Sequence, residues 1–236
     1  MSRPRIRRRG GSDTPLPFAL APQRQGPLTV LCLGAHADDI EIGCGGTVLR
    51  LLAAYPKTDC HWVVFSGGGG PRDDEARKGA ELFLGRAGRR QVVVHAFHDG
   101  FFPYEGGEIK NAFEALAGAV EPDVIFTHTR HDRHQDHRLI SDLTWQTFRS
   151  HLILEYEVPK YDGDLGVPNV FVPLTAAVVR AKIRHLGAAF GSQRRKRWFT
   201  ADTFHGLLRL RGVESGAPHG LAEAFYSRKA LVSFWS

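Results

Sequence analysis

Three residues that could take part in catalysis stand almost side by side near the start of the chain: His36, Asp38 and Asp39. The His-x-x-Asp spacing of His36 and Asp39 offers one imidazole and one carboxylate to a single cation, as in many zinc sites. Adjacent carboxylates cannot easily turn the same way, so one could bind a metal while the other activates water as general base. The same residues also fit a simpler interpretation, in which two aspartates cap a helix beside a surface histidine.

A second group of candidate ligands lies much further along the chain. Four histidines recur at every third position in one segment: His128, His131, His134 and His137. Packing does not easily explain such a density, although a structural or solvated cluster is the alternative. Catalytic zinc usually has three protein ligands and leaves the fourth position to water. One histidine of this segment would therefore complete the metal site begun by the earlier His-x-x-Asp pair.

Both groups follow apolar runs that predict buried strands, at residues 28–33 and 123–127. In open α/β sheets, ligands bind at the carboxyl ends of such strands. The alternation of strands and helices along the chain predicts βαβ units with right-handed crossovers. The predicted strands are 28–33, 59–65, 91–95, 123–127, 152–155 and 169–172, and the predicted helices are 47–54, 73–85, 110–120, 138–148, 175–186 and 202–211.

These elements predict an α/β fold, a Rossmann-like three-layer sandwich with a mostly parallel sheet and an added C-terminal α/β segment. The glycine-rich segment 66–71 lacks a following Gly-Lys-Ser/Thr, which excludes a P-loop. The aromatic loop 98–104 could stack on a sugar ring or pack as a lid. The basic segment 192–198 is either a solvated helix face or a contact to an anionic substrate group.

Composition and charge describe a globular chain with a basic start. The chain has 236 residues, 42% of them hydrophobic, and three cysteines without paired spacing, which we expect to be small buried side chains. Residues 1–26 hold six arginines and one aspartate, and so most of the formal charge of +6. We predict a disordered basic arm at 1–26 and one α/β domain at 27–236. No signal peptide or membrane span is predicted, and a cytoplasmic location is expected.

The two candidate motifs together resemble those of the PIG-L / LmbE-like family of zinc-dependent de-N-acetylases. Residues 35–39, Ala-His-Ala-Asp-Asp, resemble the family's His-Pro-Asp-Asp signature, and residues 134–137, His-Gln-Asp-His, resemble its His-x-Asp-His signature. Arg77 and Glu81 resemble a third, weaker feature, although a surface ion pair between them is the ordinary interpretation. The resemblance covers roughly residues 28–150.

The resemblance implies a role for each matching residue. A metal, Zn²⁺ or alternatively Fe²⁺ or Co²⁺, would be bound by three ligands. A general base would take a proton from water, and a histidine would donate to the developing oxyanion while an aspartate keeps that histidine charged and oriented. The implied ligands are His36, Asp39 and His137, the base is Asp38, the oxyanion donor and its partner are His134 and Asp136, the acetyl contact is Arg77 and the sugar-hydroxyl contact is Asp99.

The function expected from this resemblance is removal of the N-acetyl group from an N-acetylglucosamine-type amino sugar, whether free, lipid-linked or part of a secondary metabolite. One alternative keeps the metal chemistry but cleaves a thiol conjugate or another N-acyl substrate. A second is a non-catalytic nucleotide- or nucleic-acid-binding α/β domain with a basic arm, against which the histidine segment argues. The expected partner is a small-molecule or glycoconjugate substrate rather than nucleic acid, and a homo-oligomer is possible.

Overall fold

A seven-stranded sheet forms the centre of the protein, seen in a computed structural model that describes residues 26–231. The predicted basic arm lies outside the described residues, apart from Gly26. The strands are β1 (Thr29–Gly34), β2 (Asp59–Ser66), β3 (Arg89–Phe97), β4 (Val124–His128), β5 (Leu152–Tyr156), β6 (Val170–Pro173) and β7 (Ala222–Tyr226). Their order in the sheet is β3-β2-β1-β4-β5-β7-β6, in which the first five strands are mutually parallel and the last two are antiparallel to their neighbours.

Helices cover both faces of the sheet, which confirms the predicted α/β class. The helices are α1 (Asp39–Ala54), α2 (Pro71–Phe83), α3 (Gly106–Ala119), α4 (Gln135–Thr147), α5 (Ala176–Ala189) and α6 (Ala201–Glu214). Alternate residues of β1 enter two separate cores: Val30 and Cys32 pack with α1, α2, α5 and α6, while Leu31 and Leu33 pack with α3 and α4. None of the helices within residues 26–231 combines the length and the apolar character needed to cross a bilayer.

The chain order along the sheet reverses between β1 and β4. From β1 the chain adds β2 and β3 on one side, and it then returns to add β4 and β5 on the other. At such a switch point the connections leave the sheet in opposite directions, so a crevice opens beyond the carboxyl ends of the two central strands. Both candidate motifs lie at this crevice, because one follows β1 and the other follows β4.

The first helix begins at Asp39 and not at residue 47 as predicted, because the glycines that suggest a turn are required by close packing. A Cβ added to Gly43 would lie 2.1 Å from the Tyr156 ring, and one added to Gly45 would lie 2.4 Å from Phe83. A side chain at either position would prevent α1 from approaching the sheet and α2 this closely. The last strand, β7, was not predicted, although it supplies the antiparallel neighbour of β5.

Candidate metal centre and active site

Two histidines and one aspartate bring three donor atoms close together in the crevice beyond the carboxyl ends of β1 and β4. His36 Nδ1 lies 3.1 Å from His137 Nε2. Asp39 Oδ2 lies 3.4 Å from each of these two nitrogen atoms. Ligands bonded to a tetrahedral metal at about 2.0–2.1 Å lie roughly 3.3–3.4 Å from one another, so this triangle matches three corners of such a site.

Carboxylates on the far side of each imidazole fix which ring nitrogen carries the proton. His137 Nδ1 lies 2.8 Å from Asp132 Oδ2, and His36 Nε2 lies 3.0 Å from Asp136 Oδ2. Since an ionised carboxylate only accepts hydrogen bonds, these two nitrogens are the donors. Nε2 of His137 then directs its lone pair at His36 Nδ1 beside the Asp39 carboxylate, and a cation at His36 Nδ1, either a proton or a metal ion, stabilises this arrangement. The residues present therefore fit a bound metal ion.

The electrostatics of the cluster agree with a cation site. Burial lowers the pKa of His36, but hydrogen bonds to Asp136 and Asp39 outweigh it and hold that pKa well above its usual range. Burial and the neighbouring His128 lower the pKa of His137 to about 4, which keeps this imidazole neutral and its lone pair available. Burial raises the pKa of Asp39, but His137 and His128 outweigh it and hold that pKa well below normal. The same positions that stabilise a proton on His36 would stabilise a metal ion.

Asp38 is buried beside this cluster in a strained backbone conformation. Its φ is 110°, in the left-handed region that side chains other than glycine rarely adopt. Asp38 Oδ1 lies 3.3 Å from Arg72 Nη2, whereas Oδ2 is buried and has no hydrogen-bond partner among the described residues. Burial raises the pKa of Asp38 to about 7, and the Arg72 guanidinium acts against that rise. A carboxylate with one free oxygen and such a pKa is well suited to accept a proton near neutral pH.

The expected partnership between Asp136 and His134 takes a different form in the structure. The Asp136 carboxylate accepts hydrogen bonds from the backbone N–H groups of Gly100 at 2.6 Å and Phe102 at 3.2 Å, in addition to its contact with His36. Only the backbone N–H of Asp136 reaches His134, at Nδ1. Because α4 begins at Gln135, not at residue 138, His134 occupies its N-cap and Asp136 its first turn.

His134 nevertheless remains available to a ligand. Its Nδ1 accepts the hydrogen bond from the α4 backbone, so its proton lies on Nε2, which makes no hydrogen bond within residues 26–231. Burial and the nearby His36 lower the pKa of His134, which favours the neutral ring over the charged form that we expected. The His134 ring centre lies 4.8 Å from that of His36 and 4.7 Å from that of His137. A neutral N–H donor is thus placed at the edge of the metal site.

Of the two residues predicted to contact the substrate, Asp99 lies beside the cluster and Arg77 does not. Asp99 Oδ1 lies 3.1 Å from His36 Nε2, while most of the Asp99 side chain is exposed. Arg77 lies on the outer face of α2 and pairs with Asp73 at 2.8 Å, not with Glu81, so the structure does not bring it to the cluster. Arg72, one turn earlier, contacts Asp38 and the backbone carbonyl of Ala37 instead.

Sequence reasoning missed several residues that support the cluster. His128 is fully buried, with Nε2 3.2 Å from Asp39 Oδ2, and was named only as one of the four spaced histidines. Asp132 and Lys160 form a buried ion pair of 2.9 Å behind His137. A carboxylate inside the histidine-rich segment was a visible signal for Asp132, whereas nothing in the sequence pointed to Lys160. His131, the remaining spaced histidine, is exposed, and its ring lies 6.1 Å from that of Tyr226.

Comparison with known proteins relates both the sequence and the fold to deacetylases. The family described as PIG-L, GlcNAc-PI de-N-acetylase, matches residues 31–148. The uncharacterized deacetylase YaiS of Escherichia coli K12 is 30% identical over an alignment of 147 residues that covers 55% of this chain and 74% of that protein.

Solved structures extend this likeness over most of the chain. The N,N'-diacetylchitobiose deacetylase of Pyrococcus horikoshii superimposes with a TM-score of 0.66 at 19% identity, covering 84% of this chain and 83% of that one. The 4-carboxy-2-hydroxymuconate hydratase GalB of Pseudomonas putida KT2440 superimposes with a TM-score of 0.67 at 16% identity, covering 89% and 99%. At such identities the likeness shows the fold alone, and it is shared by enzymes of different reaction types.

Proposed function

Because the chain belongs to the PIG-L family and is an N-deacetylase, we propose that it hydrolyses the acetamide of an N-acetylglucosamine-type amino sugar with Zn²⁺ as its metal. The observation that carries this proposal is the triangle of His36 Nδ1, Asp39 Oδ2 and His137 Nε2, with the free oxygen of Asp38 beside it. The amino-sugar class is supported by the family description and by the chitobiose deacetylase among the similar structures.

The three donor atoms would hold the metal, and carboxylates would orient the two imidazoles. Asp132 fixes His137 and Asp136 fixes His36, each through the nitrogen that points away from the site. When bound there, a divalent ion polarises an amide carbonyl and makes water more acidic. We place zinc first among the candidate metals because two imidazoles, one carboxylate and an open fourth position form a common catalytic zinc set.

Asp38 is the proposed general base. Its unpartnered Oδ2 accepts a proton from water as the water oxygen forms a bond to the amide carbon and the carbonyl π electrons move to oxygen. The carbon–nitrogen bond then breaks, and the proton held by Asp38 passes to the departing nitrogen, so that acetic acid and a free amine result. The acid then loses the proton of the added hydroxyl group, and at neutral pH the products are acetate and the ammonium form of the amino sugar. Arg72 favours the ionised form of Asp38 and is itself held by Glu75 at 2.6 Å and Ser192 at 3.1 Å.

His134 is the proposed oxyanion donor. Its Nε2–H is free of protein partners in residues 26–231 and lies on the rim of the site, where it can donate to the oxygen that gains negative charge. In this proposal His134 acts as a neutral donor, because its pKa is lowered. The sugar-hydroxyl contact of Asp99 stays part of the proposal, and the acetyl contact first expected of Arg77 is assigned to no residue.

Acetate release from methyl and phenyl N-acetyl-β-glucosaminides tests the proposed function. The untreated protein should release acetate, lose this activity with a chelator and regain it with Zn²⁺. His137→Ala should abolish the activity, whereas His131→Ala, which changes an exposed histidine of the same segment, should retain it. Chelator-insensitive hydrolysis would exclude the metal chemistry, and faster release of a larger acid from N-acyl analogues would favour the alternative amidase.

A further inference from the structure

Three aromatic side chains are displayed on the loop that follows β3. The rings of His98 and Phe101 are stacked, with centres 4.2 Å apart and planes within 8° of parallel. The Tyr104 ring lies 6.0 Å from that of Phe101. Phe101 is 48% exposed and Tyr104 is 81% exposed. We call these three residues the aromatic platform. Such exposed rings favour the stacking surface that was one expectation for this loop over the packed lid.

The backbone that carries the platform is firmly anchored. The Asp136 carboxylate accepts hydrogen bonds from the N–H groups of Gly100 and Phe102, and the Phe102 side chain is fully buried. The Gln135 side chain also donates to the Gly100 carbonyl. An anchored loop loses little conformational entropy when a ligand binds, so an exposed ring on this loop can bind a ligand at a small entropic cost.

The loop that carries the platform borders the proposed metal site. Asp99, which lies between His98 and Phe101 in sequence, has Oδ1 3.1 Å from His36 Nε2. Asp136 contacts the same imidazole nitrogen while it holds the loop backbone. The platform therefore stands on a loop that adjoins the position where an acetamide would reach the metal donors.

We propose that the aromatic platform binds a neutral ring attached to the N-acetylated sugar, either an aryl group or a second sugar, by stacking on Phe101 and Tyr104. This inference rests on the proposed function. It adds which kind of substituent on the N-acetylated sugar the enzyme prefers. The carboxylates of Asp99 and Glu105 on the same loop disfavour an anionic substituent. Stacked rings and C–H groups of a sugar gain both buried area and favourable ring contacts on an exposed aromatic surface.

The test compares phenyl and methyl N-acetyl-β-glucosaminides, which share the N-acetylated sugar and differ only in whether a phenyl or a methyl group is attached to it. In the metal-loaded protein, kcat/KM for the phenyl glycoside should exceed that for the methyl glycoside about three- to tenfold. This ratio should fall toward unity in Phe101→Ala and in Tyr104→Ala and be retained in Tyr104→Phe. Leu210→Ala, which removes a half-exposed apolar side chain from α6, is the control and should keep the ratio.

Two outcomes would overturn the inference while leaving the deacetylase intact: a wild-type ratio near unity, or a ratio unchanged in both alanine variants. The same comparison is made without catalysis by calorimetry, with the deacetylated phenyl and methyl glucosaminides as ligands. The phenyl compound should bind more tightly to the wild-type protein but not to Phe101→Ala. Failure of the proposed function gives a different pattern, in which neither N-acetyl glycoside releases acetate.

Discussion

His36 Nδ1 and His137 Nε2 lie 3.1 Å apart, although 101 residues separate the two histidines in the chain. Each imidazole donates its other N–H to a buried carboxylate, so both of these ring nitrogens face one oxygen of Asp39. A cation at this point, either a proton on His36 Nδ1 or a metal ion, stabilises the close approach of the three atoms. The reversal of strand order between β1 and β4 brings the two segments to the same crevice.

Asp132→Asn should weaken metal binding about 10- to 100-fold, the usual effect of losing a carboxylate behind a ligating histidine. The Asp132 carboxylate fixes the His137 tautomer at 2.8 Å, and asparagine removes its charge. Competition with a chelating dye measures the affinity. Asp162→Asn is the matched control, because Asp162 is more exposed and contacts the same Lys160 only at 3.7 Å. Equal affinities in the two variants would disprove this role of Asp132.

Arg72→Gln should move the acidic limb of the pH–activity profile to higher pH. A general base works when ionised, burial raises the pKa of Asp38, and the Arg72 charge lowers it, so loss of that charge lets the pKa rise further. Arg77→Gln should leave the limb in place, because Arg77 pairs with Asp73 on the exposed side of α2. A limb that shifts with Arg77 and not with Arg72 would reverse this assignment.

His134→Ala should lower kcat about 100- to 1,000-fold, as expected for the loss of one oxyanion donor. Its metal content should match that of the wild-type protein, because His134 is not among the three proposed ligands. Steady-state kinetics together with elemental analysis measure both quantities. Near-normal turnover in this variant would show that another group stabilises the developing charge.

Asp136→Asn distinguishes two roles for a single carboxylate. If Asp136 acts through His36, as its 3.0 Å contact indicates, the variant should bind metal about 10- to 100-fold more weakly. If Asp136 acted through His134, the variant would keep full metal affinity and its kcat would fall as in His134→Ala. Metal affinity measured before any assay of turnover separates these results.

Gly43→Ala should destabilise the fold by about 1–3 kcal/mol, because the new methyl group would overlap the Tyr156 ring in the core. Gly187→Ala in α5 is the matched control. A Cβ there meets nothing within 4 Å, so this change should stabilise the protein by roughly 0.5–1 kcal/mol. Urea unfolding of the two variants measures both effects, and a neutral Gly43→Ala would show that α1 can move away from β5.

Local sequence pattern was sufficient for much of the fold. The apolar runs preceding His36 and His128 predicted β1 and β4, and βαβ alternation predicted the parallel sheet. The start of α1 was placed too late because Gly43 is explained only by its contact with Tyr156, a residue of a distant strand. β7 escaped prediction because Glu223 interrupts its apolar pattern, and the burial of this glutamate depends on its ion pair with Lys182 of the distant α5.

The site shows the same division between local and distant information. Spacing indicated the ligand candidates, but the carboxylates behind them depend on how the loops fold together. The choice between Arg72 and Arg77 was in principle accessible from the pattern of α2. Ala76 and Phe83 form the buried stripe of this helix, and position 72 lies on that stripe whereas position 77 does not. Comparing both arginines with the stripe would have indicated Arg72.

Anomalous diffraction at the zinc absorption edge, from crystals of the zinc-loaded chain, tests the proposed metal site most directly. One ion should appear within about 2.0–2.2 Å of His36 Nδ1, Asp39 Oδ2 and His137 Nε2, with its open position toward Asp38. An ion held by His128 in place of His36, or no ion between the two histidines, would contradict the proposed site and the hydrolytic mechanism built on it.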